Sequence, residues 1–217
     1  MTGTQRPPLT RETIVDAAIH IAGRDGLAKL SMRNLAAEVG FEVMSLYTHV
    51  SNKADLHSGM VERCVEQLEM PEIDEDFQWR TALRAHSMSL KAMFERNPWS
   101  VDLWARSNPG PRRFDLMEWQ LKAFATSGLS EQDAHTAFHA LFNHTVGYML
   151  LGQAMASTSN AATVDEMIST LDPERHAHVL HHVEQHRNGD TGDSFEYTLD
   201  LLLESYPRSD EHSIRER

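Results

Sequence analysis

The sequence contains a single cysteine, Cys64, so it cannot form a disulfide within one chain. It has no apolar run near the roughly 20 residues that a membrane-spanning helix needs, and no pattern typical of a signal peptide. Alternation of apolar and polar residues, the sign of a β-strand, is nearly absent, as are internal repeats and glycine-rich phosphate loops. These absences predict a helical protein of the cytoplasm that does not enter a membrane.

Basic residues are also scarce, because 20 lysines and arginines stand against 32 aspartates and glutamates, for a formal net charge of −12. Such a charge argues against nucleic acid as a partner, since lysine and arginine supply most non-specific affinity for DNA. The charge is unevenly distributed, however. Residues 1–55 hold six basic and six acidic side chains, which cancel, so the whole excess lies beyond them. A neutral amino-terminal part on an acidic body is compatible with a DNA-binding domain fused to another domain.

Apolar residues recur at helical spacing along almost the whole chain. The first predicted helix covers residues 11–24, with Thr10 as its N-cap and Gly26 after its end. A second, short helix begins after the N-cap Ser31 and ends at Gly40. The amino-terminal region is therefore predicted to be built from short, well-delimited helices.

A third short helix is predicted over residues 43–50, VMSLYTHV. Asn52, with Asp55 three residues further on, caps a longer helix that reaches about Leu68. Pro71 and the acidic run EIDED then break the helical pattern, because proline ends a helix and clustered carboxylates repel one another.

This break divides the chain into two predicted domains, residues 1–56, with a connecting helix to about residue 70, and residues 71–217. Helices in the second domain are predicted over 77–96, 112–128, 131–155 and 193–206, with further starts at Thr163 and Asp172 and a polar loop at 157–162. The predicted fold class is therefore all-α, with a three-helix domain followed by a helical bundle.

The two short helices around Gly40 have the spacing of a helix-turn-helix, since the second begins three residues after the glycine. Small or aliphatic groups suit their crossed contact, and Ala36, Val39 and Leu46 supply them. The residues predicted to face base edges in a major groove are Val43, Met44, Ser45 and Thr48. The residues predicted to contact phosphates are Tyr47, His49 and Lys53. An ordinary helical hairpin that binds no DNA is the alternative.

The segment LSMRNLAAEVGFEVMSLYTHVSNKADL, residues 30–56, resembles the DNA-binding signature of the tetracycline-repressor (TetR) family. The resemblance covers residues 10–56, and weaker likeness to the ligand-binding domain of that family continues in residues 121–138 and 195–203. It implies a homodimer in which a variable helical domain binds a small-molecule effector and releases a double-stranded DNA operator. It also implies that Ser31, Met32 and Arg33 lie near DNA, whereas Thr48 departs from members that carry a large aromatic residue there.

A ligand cavity in a helical bundle is mostly apolar with a few polar groups inside. The predicted effector-binding residues are His86, Leu90, Trp104, Gln120, Phe138, His139 and Phe142. His86 and Gln120 are chosen because the resemblance places them where tetracycline-binding relatives hold amide side chains against ligand. The magnesium-chelating set of those relatives is not recognisable, so tetracycline itself is not expected. The alternative is that these side chains only fill the core.

Histidine pairs one helical turn apart raise the possibility of a metal site, and they are His135 with His139, His178 with His182, and His182 with His186. No cysteine cluster supplies a third or fourth ligand, so no metal or cofactor is predicted. A metal- or pH-responsive regulator remains an alternative. No arrangement of serine, histidine and aspartate indicates nucleophilic catalysis, and the protein is predicted not to be an enzyme.

The predicted function is a transcriptional regulator, most simply a repressor, that binds a near-palindromic operator as a homodimer. Two-fold symmetry would set the recognition helices about 34–36 Å apart. The long helix from His135 and the terminal helix with Leu199 and Leu203 are predicted to form the dimer interface. Effector binding is predicted to tilt the helix over residues 52–68.

Overall fold

The computed structural model describes residues 8–158, 161–189 and 193–206. Within these residues the chain is helical and has no β-strand, which confirms the predicted all-α class. The α-helices are α1 (Arg11–Asp25), α2 (Met32–Val39), α3 (Val43–Leu46), α4 (Lys53–Val65), α5 (Trp79–Arg96), α6 (Pro98–Arg106), α7 (Pro111–Ala125), α8 (Glu131–Thr158), α9 (Ala161–Ser169), α10 (Ala177–Asn188) and α11 (Ser194–Glu204). A 3-10 turn, Leu27–Lys29, precedes α2.

The helices form two compact units that divide between Thr126 and Ser127. The first unit holds α1–α7 and the second α8–α11. Residues 69–78, where the sequence predicts the domain boundary, are irregular apart from one turn. The boundary at residue 71 therefore stays a prediction, and α5–α7 belong to the compact unit that also contains α1–α4.

Side-chain caps start the first helices as predicted. The Thr10 hydroxyl accepts the N–H of Thr13 at 3.2 Å and the Thr13 hydroxyl accepts the N–H of Thr10 at 3.0 Å, a reciprocal capping box. Ser31 caps α2 by accepting the N–H of Asn34 at 3.1 Å. Gly40 ends α2 in the left-handed region, at φ 70°, which glycine adopts without steric cost.

The recognition helix is shorter than predicted. Regular α3 ends at Leu46, and residues 47–49 continue as a turn in which the N–H of His49 bonds the Leu46 carbonyl at 2.9 Å. Such i→i+3 bonds tighten the last turn of a helix and redirect the chain. Leu46 and Val50 are buried on the inner side of this segment. The outer side chains of residues 43–49 keep a nearly helical arrangement.

Helix α4 ends at Val65, three residues before the predicted end. Asn52 caps its start by accepting the N–H of Asp55 at 2.9 Å, as predicted. Helix α6 was not predicted, because the predicted helices leave residues 97–111 without a helix. Proline has no N–H to leave unpaired and is favoured at the first position of a helix, which is where Pro98 lies.

Helices α5–α7 hold all four tryptophans of the chain, and all four are buried. The Phe94 and Trp104 rings meet edge to face at 5.4 Å between centroids. The Trp119 indole N–H donates to the Pro71 carbonyl at 2.8 Å and so attaches the irregular segment to α7. Helix α4 packs on both α6 and α7, which makes α4 the element between the first helices and this tryptophan-rich layer.

In the second unit α11 packs on the long helix α8. His144 bonds the Phe195 carbonyl through Nε2 at 3.0 Å, and the two rings stack at 4.7 Å. Leu199 and Leu203 are buried within this unit, and the predicted role of their helix in a dimer interface stays a prediction. The predicted polar loop at 157–162 includes residues 159–160, which lie outside the described residues; α8 reaches Thr158 and α9 begins at Ala161.

Candidate nucleic-acid interface and effector site

Residues 8–56, named here the reading head, are held together by Arg11. Its guanidinium donates to the two carboxylate oxygens of Asp55 at 2.6 and 3.0 Å and to the His49 carbonyl at 3.1 Å. The bond from Arg11, supported by the N–H of Ser51 at 2.8 Å, lowers the pKa of the Asp55 carboxyl below its ordinary value. Residues 43–49, α3 and the turn after it, are named here the recognition segment. The Asp55 carboxylate, through Arg11, holds the end of this segment against the starts of α1 and α4.

The predicted base-facing residues lie on the outer side of the recognition segment. Met44 is 75% exposed and Thr48 is also exposed, while Val43 and Ser45 are half-buried. The Thr48 hydroxyl donates to the Ser45 carbonyl at 2.7 Å, so its oxygen remains an acceptor of fixed orientation. This face offers apolar contact to thymine methyl groups and hydrogen bonds to base edges.

The predicted phosphate-contacting residues border the same segment. Tyr47 and Lys53 are exposed, and His49 is half-buried. At the start of α2, Ser31 and Arg33 are exposed. Met32, beside them, is half-buried. The amino termini of α2 and α4 add the partial positive charge of helix dipoles, which favours phosphate oxygens.

Ion pairing separates the cations of the reading head into two groups. Arg11 pairs with Asp55, and Arg24 pairs with Asp25 at 2.8 Å and Glu38 at 3.3 Å. Among the described residues of the reading head, the cations that make no ion pair are Lys29, Arg33 and Lys53. These three are free to meet phosphates. Lys29 was missed by the sequence analysis, although its position just before the Ser31 cap was a signal.

Four of the predicted effector residues are buried in the first unit, with His86 and Leu90 on α5, Trp104 on α6 and Gln120 on α7. The His86 ring lies 5.1 Å from that of Trp119, a residue that the sequence analysis did not select. Neither ring nitrogen of His86 meets the distance and angle of a full hydrogen bond, and the backbone of Glu69 makes only a weaker polar contact with the ring.

Burial lowers the pKa of His86 to about 4, so its imidazole is neutral near pH 7. A neutral imidazole has one N–H donor and one acceptor nitrogen. The neutral His86 ring can therefore donate at one nitrogen and accept at the other.

The remaining predicted effector residues are on α8 in the second unit. Phe138 is buried, Phe142 is half-buried and His139 is exposed. The Phe138 ring stacks on that of Phe142 at 6.2 Å and meets His139 edge to face at 5.1 Å. These three residues thus form one local aromatic cluster.

The histidine pairs are geometrically close, with ring centroids 4.5 Å apart for His135 and His139 and for His182 and His186. No group of three or more metal-binding side chains occurs in the described ranges.

Within the described ranges, no helix combines the length and apolar character needed to cross a membrane.

Comparisons with known proteins place this helix-turn-helix chain in a family. The model for bacterial regulatory proteins of the tetR family matches residues 14–58, and that for the tetracyclin repressor-like C-terminal domain matches residues 70–205. The chain belongs to the tetR family of bacterial regulatory proteins. This assignment does not support the metal-responsive alternative or an interaction module without DNA binding.

Relatives within the family are regulators by name. The chain is 36% identical over 144 residues to the transcriptional repressor DrrR1 of Streptomyces coeruleorubidus, covering 65% of this chain and 53% of that protein. It is 31% identical over 144 residues to a transcriptional regulator of Saccharopolyspora erythraea, covering 65% and 60%. The chain thus spans between about half and three-fifths of the length of these two relatives.

A solved structure with the same fold is that of the TetR family protein ActR of Streptomyces coelicolor in complex with actinorhodin. Its TM-score is 0.73 at 24% identity, and the match covers 91% of this chain and 94% of that one.

Proposed function

We propose that this chain is a DNA-binding transcriptional repressor that acts as a homodimer and leaves its operator when a small-molecule effector binds. The proposal depends on one observation above all. Met44, Tyr47 and Thr48 of the recognition segment are exposed, and the same reading head carries three cations without an ion pair, Lys29, Arg33 and Lys53. The names of the relatives as repressor and regulator support it. A catalytic role is not part of the proposal.

The candidate residues fall into two sets, one suited to base edges and one suited to phosphates, and this supports DNA binding. Met44, Thr48 and their neighbours Val43 and Ser45 would contact base edges, which specify sequence. Tyr47, His49, Lys53 and the start of α2 would contact phosphates, which fix register. The net charge of −12 does not oppose this, because basic and acidic side chains cancel over residues 1–55 and carboxylates beyond about 8 Å of the duplex are screened at physiological salt.

Exposed apolar residues on α8 and α11 support a homodimer. The exposed fractions are 38% for Tyr148, 63% for Leu151, 57% for Met155, 68% for Tyr197 and 49% for Leu201. Tyr148, Leu151 and Met155 recur at helical spacing on α8, as Tyr197 and Leu201 do on α11, and exposed apolar faces of this kind mark protein interfaces. A second copy would bury these faces in a four-helix bundle and set two reading heads on a near-palindromic site.

The dimer is tested by sedimentation of a Leu201→Glu variant, which we expect to be monomeric at concentrations where the wild type is dimeric. The matched control is Val179→Glu on α10, because Val179 is equally exposed at 49%. A Leu201→Glu protein that stays dimeric would contradict the assignment of α11 to the dimer interface.

The buried imidazole of His86 among the tryptophans supports an effector site on α5–α7. A buried polar group without a hydrogen bond costs about 1–3 kcal/mol, which a ligand that supplies the missing bond recovers. His86 is this group, and we propose that the site also includes the buried side chains of Gln120, Trp104, Trp119 and Leu90. The complex of ActR with actinorhodin supports a small-molecule effector. We also propose Phe138, His139 and Phe142, which cluster on α8 of the second unit, as effector-binding residues.

The proposed mechanism has two conformations. Effector binding favours one in which α4 tilts and changes the spacing of the two reading heads. The effector must prefer that conformation by a few kcal/mol, because a ligand with equal affinity for both shifts neither.

The function is tested by selecting duplexes from a random pool with the purified protein. We expect enrichment of a near-palindrome whose half-sites are centred about one helical turn, or a multiple of it, apart. A pool that shows no enrichment after repeated rounds would contradict DNA reading by this chain.

A further inference from the structure

A nearly buried ion pair joins α4 to the turn between α6 and α7. The Glu62 carboxylate accepts the backbone N–H of Gly110 at 3.1 Å, that of Arg112 at 2.7 Å and the Nε–H of Arg113 at 3.1 Å. The side chains of Glu62 and Arg113 are 15% and 5% exposed. One carboxylate on α4 therefore holds the whole amino terminus of α7.

Arg113 extends this link to the end of α6. Its guanidinium donates to the carbonyl oxygens of Trp104 and Ser107, each at 3.3 Å, and also to the Asn108 carbonyl. Its central carbon lies 5.4 Å from the centre of the Trp104 ring. A displacement of the α6–α7 turn thus moves Arg113, and Arg113 moves with Glu62.

The close approach of α4 to this turn requires a glycine at position 110. A Cβ atom there would lie 2.6 Å from Cδ of Glu62, far inside van der Waals contact. The backbone of Gly110, at φ −98°, is open to any residue, so glycine is needed for space and not for conformation.

The other contacts of α4 lead to the reading head. Asp55, in its first turn, bonds Arg11 of α1, and Arg63 bonds Asp16 of α1 at 2.9 Å. Helix α4 is therefore tied to α1 on one side and, through Glu62, to α6 and α7 on the other. Buried ion pairs of this kind add little net stability but can fix one relative arrangement of two elements.

We propose that Glu62 is the positioning residue that couples the reading head to the α6–α7 turn. DNA binding at the reading head and rearrangement of α6–α7 then influence each other reciprocally, as any coupling between two sites requires. The inference rests on the proposed function and adds the contact through which its two conformations communicate.

Tryptophan fluorescence tests this coupling without an effector, because all four tryptophans lie on α5–α7 and none in the reading head. The selected operator duplex is titrated into the protein, binding is followed by anisotropy of labelled DNA, and tryptophan emission is recorded in parallel. We expect operator binding to change the wild-type emission. In Glu62→Gln we expect DNA to bind while the change in emission falls to less than about half, and in Trp104→Phe most of the change is lost.

Two further variants make the result specific. Gly110→Ala keeps the Glu62 charge but displaces its carboxylate, so it should reduce the change in emission as Glu62→Gln does; it also serves if Glu62→Gln does not fold. Glu118→Gln removes an exposed carboxylate that pairs with Lys122, and it should behave as the wild type.

Three results would overturn the inference. They are an unchanged emission response in both Glu62→Gln and Gly110→Ala, a wild-type protein that binds the operator with no change in emission, and an equal loss in Glu118→Gln. A wild-type protein that binds no duplex by anisotropy would instead overturn the proposed function, and the coupling with it.

Discussion

The reading head keeps its polar side chains at the surface, whereas helices α5–α7 bury five of theirs. The buried ones are His86, Ser87, Ser100, Arg113 and Gln120, and the described part of the reading head buries none. The same helices hold every tryptophan of the chain. Exposed polar groups with unpaired cations suit a large, charged and solvated partner such as DNA, while buried polar groups among aromatic rings suit a small molecule removed from water.

The two regions also differ in what their charges do. In the reading head the Arg11–Asp55 pair is partly exposed and organises three helix ends, leaving other cations free. In α5–α7, Arg113 is not available to a partner molecule, because its donors are occupied by Glu62 and by the carbonyl oxygens of Trp104 and Ser107. The comparison indicates that a charge at the surface is available for recognition, whereas a buried one maintains geometry.

The largest effect that we expect from this comparison is that of Arg113→Met. It should lower the free energy of unfolding by about 3–5 kcal/mol, because it leaves the Glu62 carboxylate without its counter-charge and several carbonyls without donors. The neighbouring Arg112→Met is the control, since Arg112 is 53% exposed and should cost less than about 1 kcal/mol. Urea unfolding measures the loss of stability in both variants. Equal losses would contradict the proposal that the buried Arg113 maintains the structure and the exposed Arg112 does not.

The next effect concerns pH. The folded-state pKa of His86 is about 4, below the ordinary value of 6.5, so the unfolded chain binds more protons between these values. Stability is therefore present above pH 6.5 and is lost as pH falls toward 4, by at most about 3 kcal/mol for this group. His86→Phe should lose correspondingly less stability over the same range.

Urea unfolding of the wild type and His86→Phe at several pH values, followed by tryptophan fluorescence, measures this difference. The exposed His178→Phe on α10 serves as the control and should follow the wild type. Identical pH profiles for the wild type and His86→Phe would show that the imidazole of His86 is not held neutral by burial.

The smallest effect belongs to the exposed region. Lys53→Ala should weaken binding to the selected operator and to unrelated DNA alike, by about 1 kcal/mol, and reduce the salt slope by about 0.9, the share of one phosphate contact. Tyr47→Phe should also weaken both, through loss of one hydrogen bond. Anisotropy titrations measure these changes, with Lys122→Ala on α7 as the control. Unchanged affinity in both variants would refute the assignment of phosphate contacts.

Local chemistry explains which parts of the fold were predictable from sequence. Thr10, Ser31 and Asn52 could be predicted as helix caps because capping is a local interaction. Each side chain accepts a backbone N–H only three residues further on. Helix α6 was missed because Pro98 can both end one helix and begin another. The shortening of α3 was not predictable, since it depends on how Val50 is buried and where the chain turns toward Asn52.

For the candidate site, the spacing of the sequence predicts which side chains are exposed but not which of them form ion pairs. The exposure of Met44 and Thr48 follows from the spacing of buried Leu46 and Val50, but the lack of an ion pair at Lys29 depends on where carboxylates lie in space. The Glu62–Arg113 pair joins residues 51 positions apart, and no local pattern marks it. Polar contacts between residues far apart in the chain are therefore the features that local sequence patterns do not predict.

The most direct test of DNA reading is the affinity of the wild-type protein for the selected operator and for a scrambled duplex of the same composition. Anisotropy titrations between about 50 and about 200 mM salt supply both affinities and their salt dependence. We expect the operator to bind at least about a thousandfold more tightly, with both affinities falling as salt rises. Equal affinity for the two duplexes, or binding that does not respond to salt, would contradict the account.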